Sequence, residues 1–146
     1  MIKNFNLMFV TFCGIGNIKF APGTITSMFI LFIWYFIPNN SVLQATIILL
    51  HLALGFYFCY IFSKNSIEED PSYIVIDEVV GMMISLFLLP KEFSLYILAF
   101  FLFRFFDILK PSIIDRSQNP KFGIGIMLDD ILSGILVLLI LLGINI

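Results

Sequence analysis

The residues best suited to chemistry in this 146-residue chain are paired carboxylates with a short basic motif between them. The pairs are Asp77-Glu78 and Asp129-Asp130, whereas Arg104, Asp107 and Lys110 stand between them. Residues at this i, i+3, i+6 spacing share one side of a helix. Oxygen ligands without His or Cys suit a hard cation, Mg²⁺ above all, and Arg and Lys beside such a cation attract phosphate oxygens. The pattern predicts metal-assisted chemistry on a phosphorylated substrate.

Each acidic pair is followed by a glycine on its own helix face. Gly81 comes four residues after Asp77, and Gly134 comes four residues after Asp130. Small residues let neighbouring membrane helices approach closely. We therefore expect the two glycines to bring their helices, and with them the carboxylates, together.

The composition indicates a membrane protein. Hydrophobic residues make up 60% of the chain and charged residues only 12%, against roughly 25% charged residues in soluble domains. The net charge of −2 leaves no basic surface for nucleic acid. Cys13 and Cys59, both in apolar surroundings, are predicted to be buried reduced thiols.

Five apolar stretches predict an all-α integral membrane bundle of about five spans, some of them short, in a single domain over residues 1–146. A hydrocarbon core of about 30 Å takes about 20 apolar residues per helix. The stretches are residues 24–37, 42–62, 74–89, 93–109 and 126–142. Residues 1–13 are apolar but too short to span, and we expect them to form an interfacial segment or to cap the bundle.

The basic residues predict which side of the membrane each loop occupies. With five alternating crossings, one side receives Lys3, Lys19, Lys64, Lys110, Arg116 and Lys121, and the other receives only Lys91. Loops rich in Lys and Arg stay in the cytoplasm. We therefore expect the N-terminus and the loops at 63–73 and 110–125 to be cytoplasmic.

This topology brings most of the acids to the cytoplasmic face. The converging groups are Asp70, Asp77, Glu78, Asp107, Asp129, Asp130, Arg104 and Lys110. Six acids against two bases leave an excess of negative charge that a half-buried site holds only with protons or bound cations. The structural alternative is that these charges are ion pairs that join helices, which suits Arg104 and Asp107 taken alone.

The segment at residues 14–24 adds a second candidate for substrate binding. Its glycines and Pro-Gly turn expose backbone N–H groups before the first span, and Thr24, with Thr26 or Ser27, is predicted to cap the helix that follows. A helix N-terminus near Lys19 suits an anionic headgroup, so Gly23 and Thr24 are candidate substrate-binding residues. A plain helix start is the alternative.

The sequence resembles the phosphatidylglycerophosphatase A family over roughly residues 11 to 142. The resemblance is carried by G-x-G…A-P-G-T at 14–24, D-P-x-x-I-V-I-D-E-V-V-G at 70–81, L-F-R-x-F-D-x-x-K-P at 102–111, and G-I-M-L-D-D-x-x-x-G at 125–134. The chain departs from the family's usual residues at Phe12, Lys19, Phe20, Tyr73, Ser112 and Ile113. None of these departures touches the acidic motifs.

The resemblance implies a Mg²⁺-dependent lipid phosphatase of the bacterial cytoplasmic membrane. Such an enzyme hydrolyses phosphatidylglycerophosphate to phosphatidylglycerol and inorganic phosphate. The family's motifs fall on Asp77 and Glu78, on Arg104, Asp107 and Lys110, and on Asp129 and Asp130. We expect the acids to hold Mg²⁺, with Asp107 as a further ligand or as the group that orients Arg104, and we expect Arg104 and Lys110 to bind phosphate.

Three other functions are alternatives to a lipid phosphatase, and the sequence favours none of them. A cation- or proton-coupled membrane carrier would use the same acids as a relay, but would spread ionisable groups through the membrane depth. A CDP-alcohol phosphotransferase would need a D-G-x-x-A-R signature, which the chain lacks. A structural subunit would tolerate apolar replacement of both members of an ion pair.

Overall fold

Six α-helices and one 3-10 turn make up the computed structural model, which describes residues 2–65, 71–109 and 124–144. The helices are α1 (Ile2–Val10), α2 (Pro22–Phe36), α3 (Ser41–Asn65), α4 (Ile76–Leu86), α5 (Phe93–Leu109) and α6 (Ile124–Ile144), with the 3-10 turn at Ile15–Asn17. The described residues contain no strand. The all-α prediction is confirmed.

The helix α4 forms the centre of the bundle. It packs most extensively on α6, and also on α2, α3 and α5, and every residue from 79 to 86 is buried. It has 11 residues and is therefore about 16 Å long, well short of a hydrocarbon core. The apolar stretch at 74–89 thus gives a short helix wrapped by other helices.

Among the described residues, two helices are long and apolar enough to cross a membrane, within α3 (Ser41–Lys64) and α6 (Met127–Ile144). Only 22% and 39% of their most apolar windows are buried inside the structure. Large apolar side chains such as Leu49, Tyr57 and Leu139 are exposed along them. Such surfaces suit lipid better than water. The helix α2 is apolar but shorter, at 15 residues, and the topology of about five spans stays a prediction.

Glycines lie where α4 crosses α6. A Cβ on Gly81 would stand 2.7 Å from the carbonyl oxygen of Asp130, and a Cβ on Gly134 would overlap the carbonyl oxygen of Gly81. The two backbones are therefore in direct contact. This confirms the expectation from the sequence that the glycines bring these helices together.

The chain before α2 packs on the rest of the bundle through backbone contacts. The helix α1 lies on α3, and the N–H of Val75 donates to the carbonyl of Val10 at 2.9 Å. After α1 the backbone turns through Cys13, which is exposed, whereas Cys59 in α3 is buried. The prediction of a buried thiol is therefore right for Cys59 and wrong for Cys13, because the turn carries Cys13 to the surface.

Candidate metal centre

Three carboxylates from two helices lie together at one end of the bundle. Asp77 and Glu78 occupy the first turn of α4, where the N-terminal end of the helix dipole favours negative charge. Asp130 comes from α6, which the glycine crossing holds against α4. One oxygen from each of the three lies within 4.8 Å of the others. A single ion can therefore contact all three carboxylates.

Each of these carboxylates has a buried oxygen without a hydrogen bond to any described residue. The atoms are Asp77 Oδ1, Glu78 Oε2 and Asp130 Oδ2. Leaving a buried charge unpaired is strongly unfavourable, and bringing three carboxylates together adds their mutual repulsion. A divalent cation would satisfy all three oxygens at once, and an all-oxygen donor set suits Mg²⁺. The residues present therefore fit a hard cation.

Arg104 reaches the edge of this group from α5. Its Nη1 lies 2.7 Å from Asp107 Oδ2 and 3.9 Å from Glu78 Oε1, and its side chain is 15% exposed. Nη1 is therefore paired with Asp107, whereas the buried Nε has no hydrogen bond in the described part of the chain. The predicted neighbourhood of Arg104 and Asp107 is confirmed, and the guanidinium keeps donors for a further acceptor.

Asp107 connects the arginine to the carboxylates. Its carboxyl group is in contact with that of Asp130 as well as with Arg104. It lies outside the group of three that shares the 4.8 Å spacing. This position is compatible with both roles expected for Asp107, which are to orient Arg104 and to serve as a further metal ligand.

Asp129 is buried beside Asp130 but also lies outside that group of three. Its Oδ1 accepts a hydrogen bond from the backbone N–H of Asp130 at 3.1 Å. Its predicted role as a metal ligand stays a prediction. Lys110 and Asp70, which the sequence places in the same cluster, lie outside the described residues.

The first turn of α2 touches the acidic group through Gly23. This glycine is buried, and a Cβ built on it would overlap Glu78 Oε1. Thr24 follows it in the same turn and is partly buried. Sequence reasoning chose Gly23 for its exposed backbone and missed this contact, for which the only signal is a glycine directly after the helix-starting proline.

The predicted capping of α2 by Thr24 is wrong. The helix begins at Pro22, so Thr24 lies inside the first turn, and Ala21 takes the N-cap position without a side-chain hydrogen bond. Ser27 Oγ instead donates to the carbonyl of Gly23 at 2.8 Å, which is an ordinary bond along a helix.

Comparison with known proteins decides the family. The family model of phosphatidylglycerophosphatase A matches residues 8–145. The chain belongs to this family. The resemblance seen in the sequence motifs is therefore confirmed, and the protein is a phosphatase of the family, whose substrates are phospholipid phosphates.

Three relatives align over most of the chain. Phosphatidylglycerophosphatase A of Escherichia coli K12 is 35% identical over 93% of this chain and 80% of its own length, and that of Haemophilus influenzae is 37% identical over 99% and 91%. A protein of Bacteroides thetaiotaomicron, provisionally named phosphatidylinositol-3-phosphatase, is 39% identical over 84% and 82%. No solved structure matches the chain.

Proposed function

We propose that this protein is a Mg²⁺-dependent phosphatase that hydrolyses phosphatidylglycerophosphate to phosphatidylglycerol and inorganic phosphate. The observation that carries the proposal is the convergence of Asp77, Glu78 and Asp130 beside Arg104 at one end of the bundle. An acidic group that fits a cation, next to a guanidinium with unused donors, is the arrangement that a phosphate monoester requires.

The carboxylates would hold the ion. Asp77, Glu78 and Asp130 offer the unpaired oxygens, and Asp129 is proposed as a further ligand from the same turn of α6. When bound, the ion supplies Lewis-acid polarisation of the phosphate and makes an attacking water more acidic. Water is the proposed nucleophile, and direct attack by a carboxylate is the alternative.

The basic residues would bind the phosphoryl group. The Nε of Arg104 has no hydrogen bond to a described residue, and a guanidinium can bind two phosphate oxygens at once. Asp107 holds that guanidinium by its ion pair, so the donors stay aimed at one place. Lys110 is proposed to add a second positive charge, and the N–H groups of Gly23 and Thr24 are proposed to face the anionic headgroup.

A bacterial cytoplasmic membrane is the proposed location, with the site facing the cytoplasm. The acids lie beside the first turn of α2, at the end of the bundle that carries Lys64 in the last turn of α3. Lys91 lies at the other end, beside the last turn of α2. This distribution agrees with retention of positive charge in the cytoplasm. A carrier would need a relay of ionisable groups through the membrane depth. His51 lies within α3, and its Nδ1 contacts the carbonyl of Ile47 on the same helix at 2.9 Å, which does not support such a relay.

Phosphatidylinositol 3-phosphate is a second candidate substrate. The relative from Bacteroides thetaiotaomicron carries that activity in its name and is 39% identical. Both lipids present a phosphate monoester on an anionic headgroup, so the same acids and the same arginine serve either one. They differ in the leaving alcohol, which is a glycerol hydroxyl in one and an inositol ring hydroxyl in the other.

Phosphate release from a panel of substrates tests the proposal. The purified protein is assayed on phosphatidylglycerophosphate, phosphatidylinositol 3-phosphate, phosphatidic acid and soluble glycerol phosphate, with Mg²⁺ or with EDTA. We expect the fastest release from phosphatidylglycerophosphate, and none in EDTA. Folded Asp129→Asn and Asp130→Asn variants with near-normal rates would disprove the metal site, and preference for the inositol lipid would favour the second candidate.

A further inference from the structure

We propose that Gly23 is a positioning residue: by lacking a side chain, it lets the first turn of α2 hold the Glu78 carboxylate in place for metal binding. The inference rests on the proposed metal-dependent function. In this role Gly23 affects the affinity for the metal ion. Binding of substrate by the backbone of Gly23 would not affect that affinity.

The contact between the two residues leaves no room for a side chain at position 23. A Cβ there would overlap Glu78 Oε1 and would stand 2.8 Å from Cδ of the same carboxylate. Backbone of α2 therefore lies directly against the end of the Glu78 side chain. The N-terminal end of a helix also attracts a negative charge, so the contact is favourable for the ionised carboxylate.

Glu78 is held from two sides, and its other oxygen remains available. Oε1 faces Gly23 and lies 3.9 Å from Arg104 Nη1, whereas Oε2 is buried with no hydrogen bond to the described residues. A carboxylate fixed in this way presents one defined oxygen to the ion. Groups that orient metal ligands commonly raise metal affinity ten- to a hundred-fold.

The backbone before Gly23 is strained, which supports a functional placement of this turn. Ala21, the N-cap residue of α2, has a φ of +43° in the left-handed region, and no side chain caps the helix. An L-residue rarely adopts that conformation, because its Cβ then crowds the following carbonyl oxygen. Strain of this kind persists where surrounding contacts require it, and it is concentrated at functional sites.

Gly23 differs from the glycines at the helix crossing in what a side chain would meet. At Gly134 the obstacle is the backbone of Gly81, which cannot move without separating α4 from α6. At Gly23 the obstacle is the far end of a flexible side chain. Gly23→Ala should therefore displace the Glu78 carboxylate and leave the fold intact.

The test is a direct measurement of metal binding by the full-length protein in detergent. Free Mn²⁺ is followed by electron paramagnetic resonance, competition with Mg²⁺ gives the Mg²⁺ affinity, and thermal unfolding is recorded without metal. We expect Gly23→Ala to weaken Mn²⁺ binding by about ten-fold or more, with an unchanged unfolding temperature. In assays, the Mg²⁺ concentration for half-maximal rate should rise in parallel, whereas KM for the lipid should change little.

Two further variants make the test specific. Gly143→Ala is the matched control, because a Cβ there meets nothing within 4 Å, and it should bind Mn²⁺ as the wild type does. Glu78→Asp shortens the side chain and removes the overlap. In that background Gly23→Ala should change Mn²⁺ affinity by less than about two-fold, since the two residues act as one unit.

The outcomes separate this inference from the proposed function. Wild-type Mn²⁺ affinity in Gly23→Ala, or an equal loss of affinity with and without Glu78→Asp, overturns the role of Gly23 and leaves the metal site standing. Loss of thermal stability together with unchanged affinity of the folded fraction also overturns it. A wild-type protein that binds no divalent cation overturns both proposals.

Discussion

The two ends of the bundle are built in opposite ways. At one end Asp77, Glu78 and Asp130 lie within reach of a common ion, and each keeps an oxygen that has no hydrogen bond to a described residue. At the other end the one cation, among the residues described there, is hydrogen-bonded to the backbone, since Lys91 Nζ donates to the carbonyl of Tyr35 at 2.8 Å. Among the described residues, only the first end brings several carboxylates close together.

Aromatic packing replaces charge at the second end. The ring of Tyr35 meets that of Tyr96 edge-on at 5.8 Å and that of Phe93 at 6.3 Å. Polar atoms are left unpaired here too, including Tyr96 Oη and Trp34 Nε1, within the described residues. They are neutral, however, and an unpaired neutral group costs far less than an unpaired charge. The contrast indicates that the acidic end, and not the aromatic end, is kept for function.

Removal of Arg104 should cause the largest loss of activity, and it compares the two ends of the bundle directly. We expect Arg104→Ala to lower kcat/KM for the lipid substrate by about 1,000-fold, because it removes charged hydrogen bonds to the phosphate and a counter-charge to the acids. Lys91→Ala, which removes the cation of the opposite end, should leave phosphate release unchanged. Equal losses in the two variants would show that the two ends do not differ in function.

Asp107→Asn should have the next largest effect, and it distinguishes the two roles that the sequence left open. If Asp107 orients Arg104, kcat/KM falls by about 10- to 100-fold while the Mg²⁺ concentration for half-maximal rate stays the same. The ion pair of 2.7 Å favours this result. A large rise in the required Mg²⁺ concentration would instead make Asp107 a metal ligand.

Gly134→Ala should act on the fold that brings the acids together. The added methyl group would press on the carbonyl of Gly81, so we expect the free energy of unfolding to fall by about 1–3 kcal/mol. Thermal unfolding in detergent measures this change, with Gly143→Ala as the control on the same helix. Equal stability of the two variants would mean that α4 and α6 are not in backbone contact.

The smallest effect is expected at the aromatic end. Tyr96 is fully buried, and its hydroxyl has no hydrogen bond in the described part of the chain, so Tyr96→Phe should change the free energy of unfolding by less than about 1 kcal/mol. Phosphate release should also be unaffected. A marked loss of activity would reveal a functional role for this end.

Much of the site could be predicted because local spacing encodes it. The glycines four residues after Asp77 and Asp130 predicted a close helix crossing. The spacing of Arg104 and Asp107 predicted that they share one side of a helix, where the structure shows their ion pair. These features need only the geometry of a single helix and the packing of small residues. They are therefore readable without knowledge of the fold.

Features that depend on distant contacts could not be read in this way. The apolar stretch at 74–89 predicts a span, yet it forms the short helix α4. This helix is buried because four other helices surround it. The contact of Gly23 with Glu78 joins residues far apart in the chain. A proline at the first position is a local signal for the start of α2, whereas the left-handed backbone of Ala21 before it has no such signal.

Cation binding by the acidic end is the central claim, and Mn²⁺ binding to Asp130→Asn tests it most directly. The measurement uses paramagnetic resonance on the full-length protein in detergent, with thermal unfolding to establish that the variant is folded. We predict that the wild type binds Mn²⁺ in competition with Mg²⁺ and that the variant binds at least about ten-fold more weakly. A folded Asp130→Asn protein with wild-type Mn²⁺ affinity would contradict the assignment of these carboxylates to a metal site.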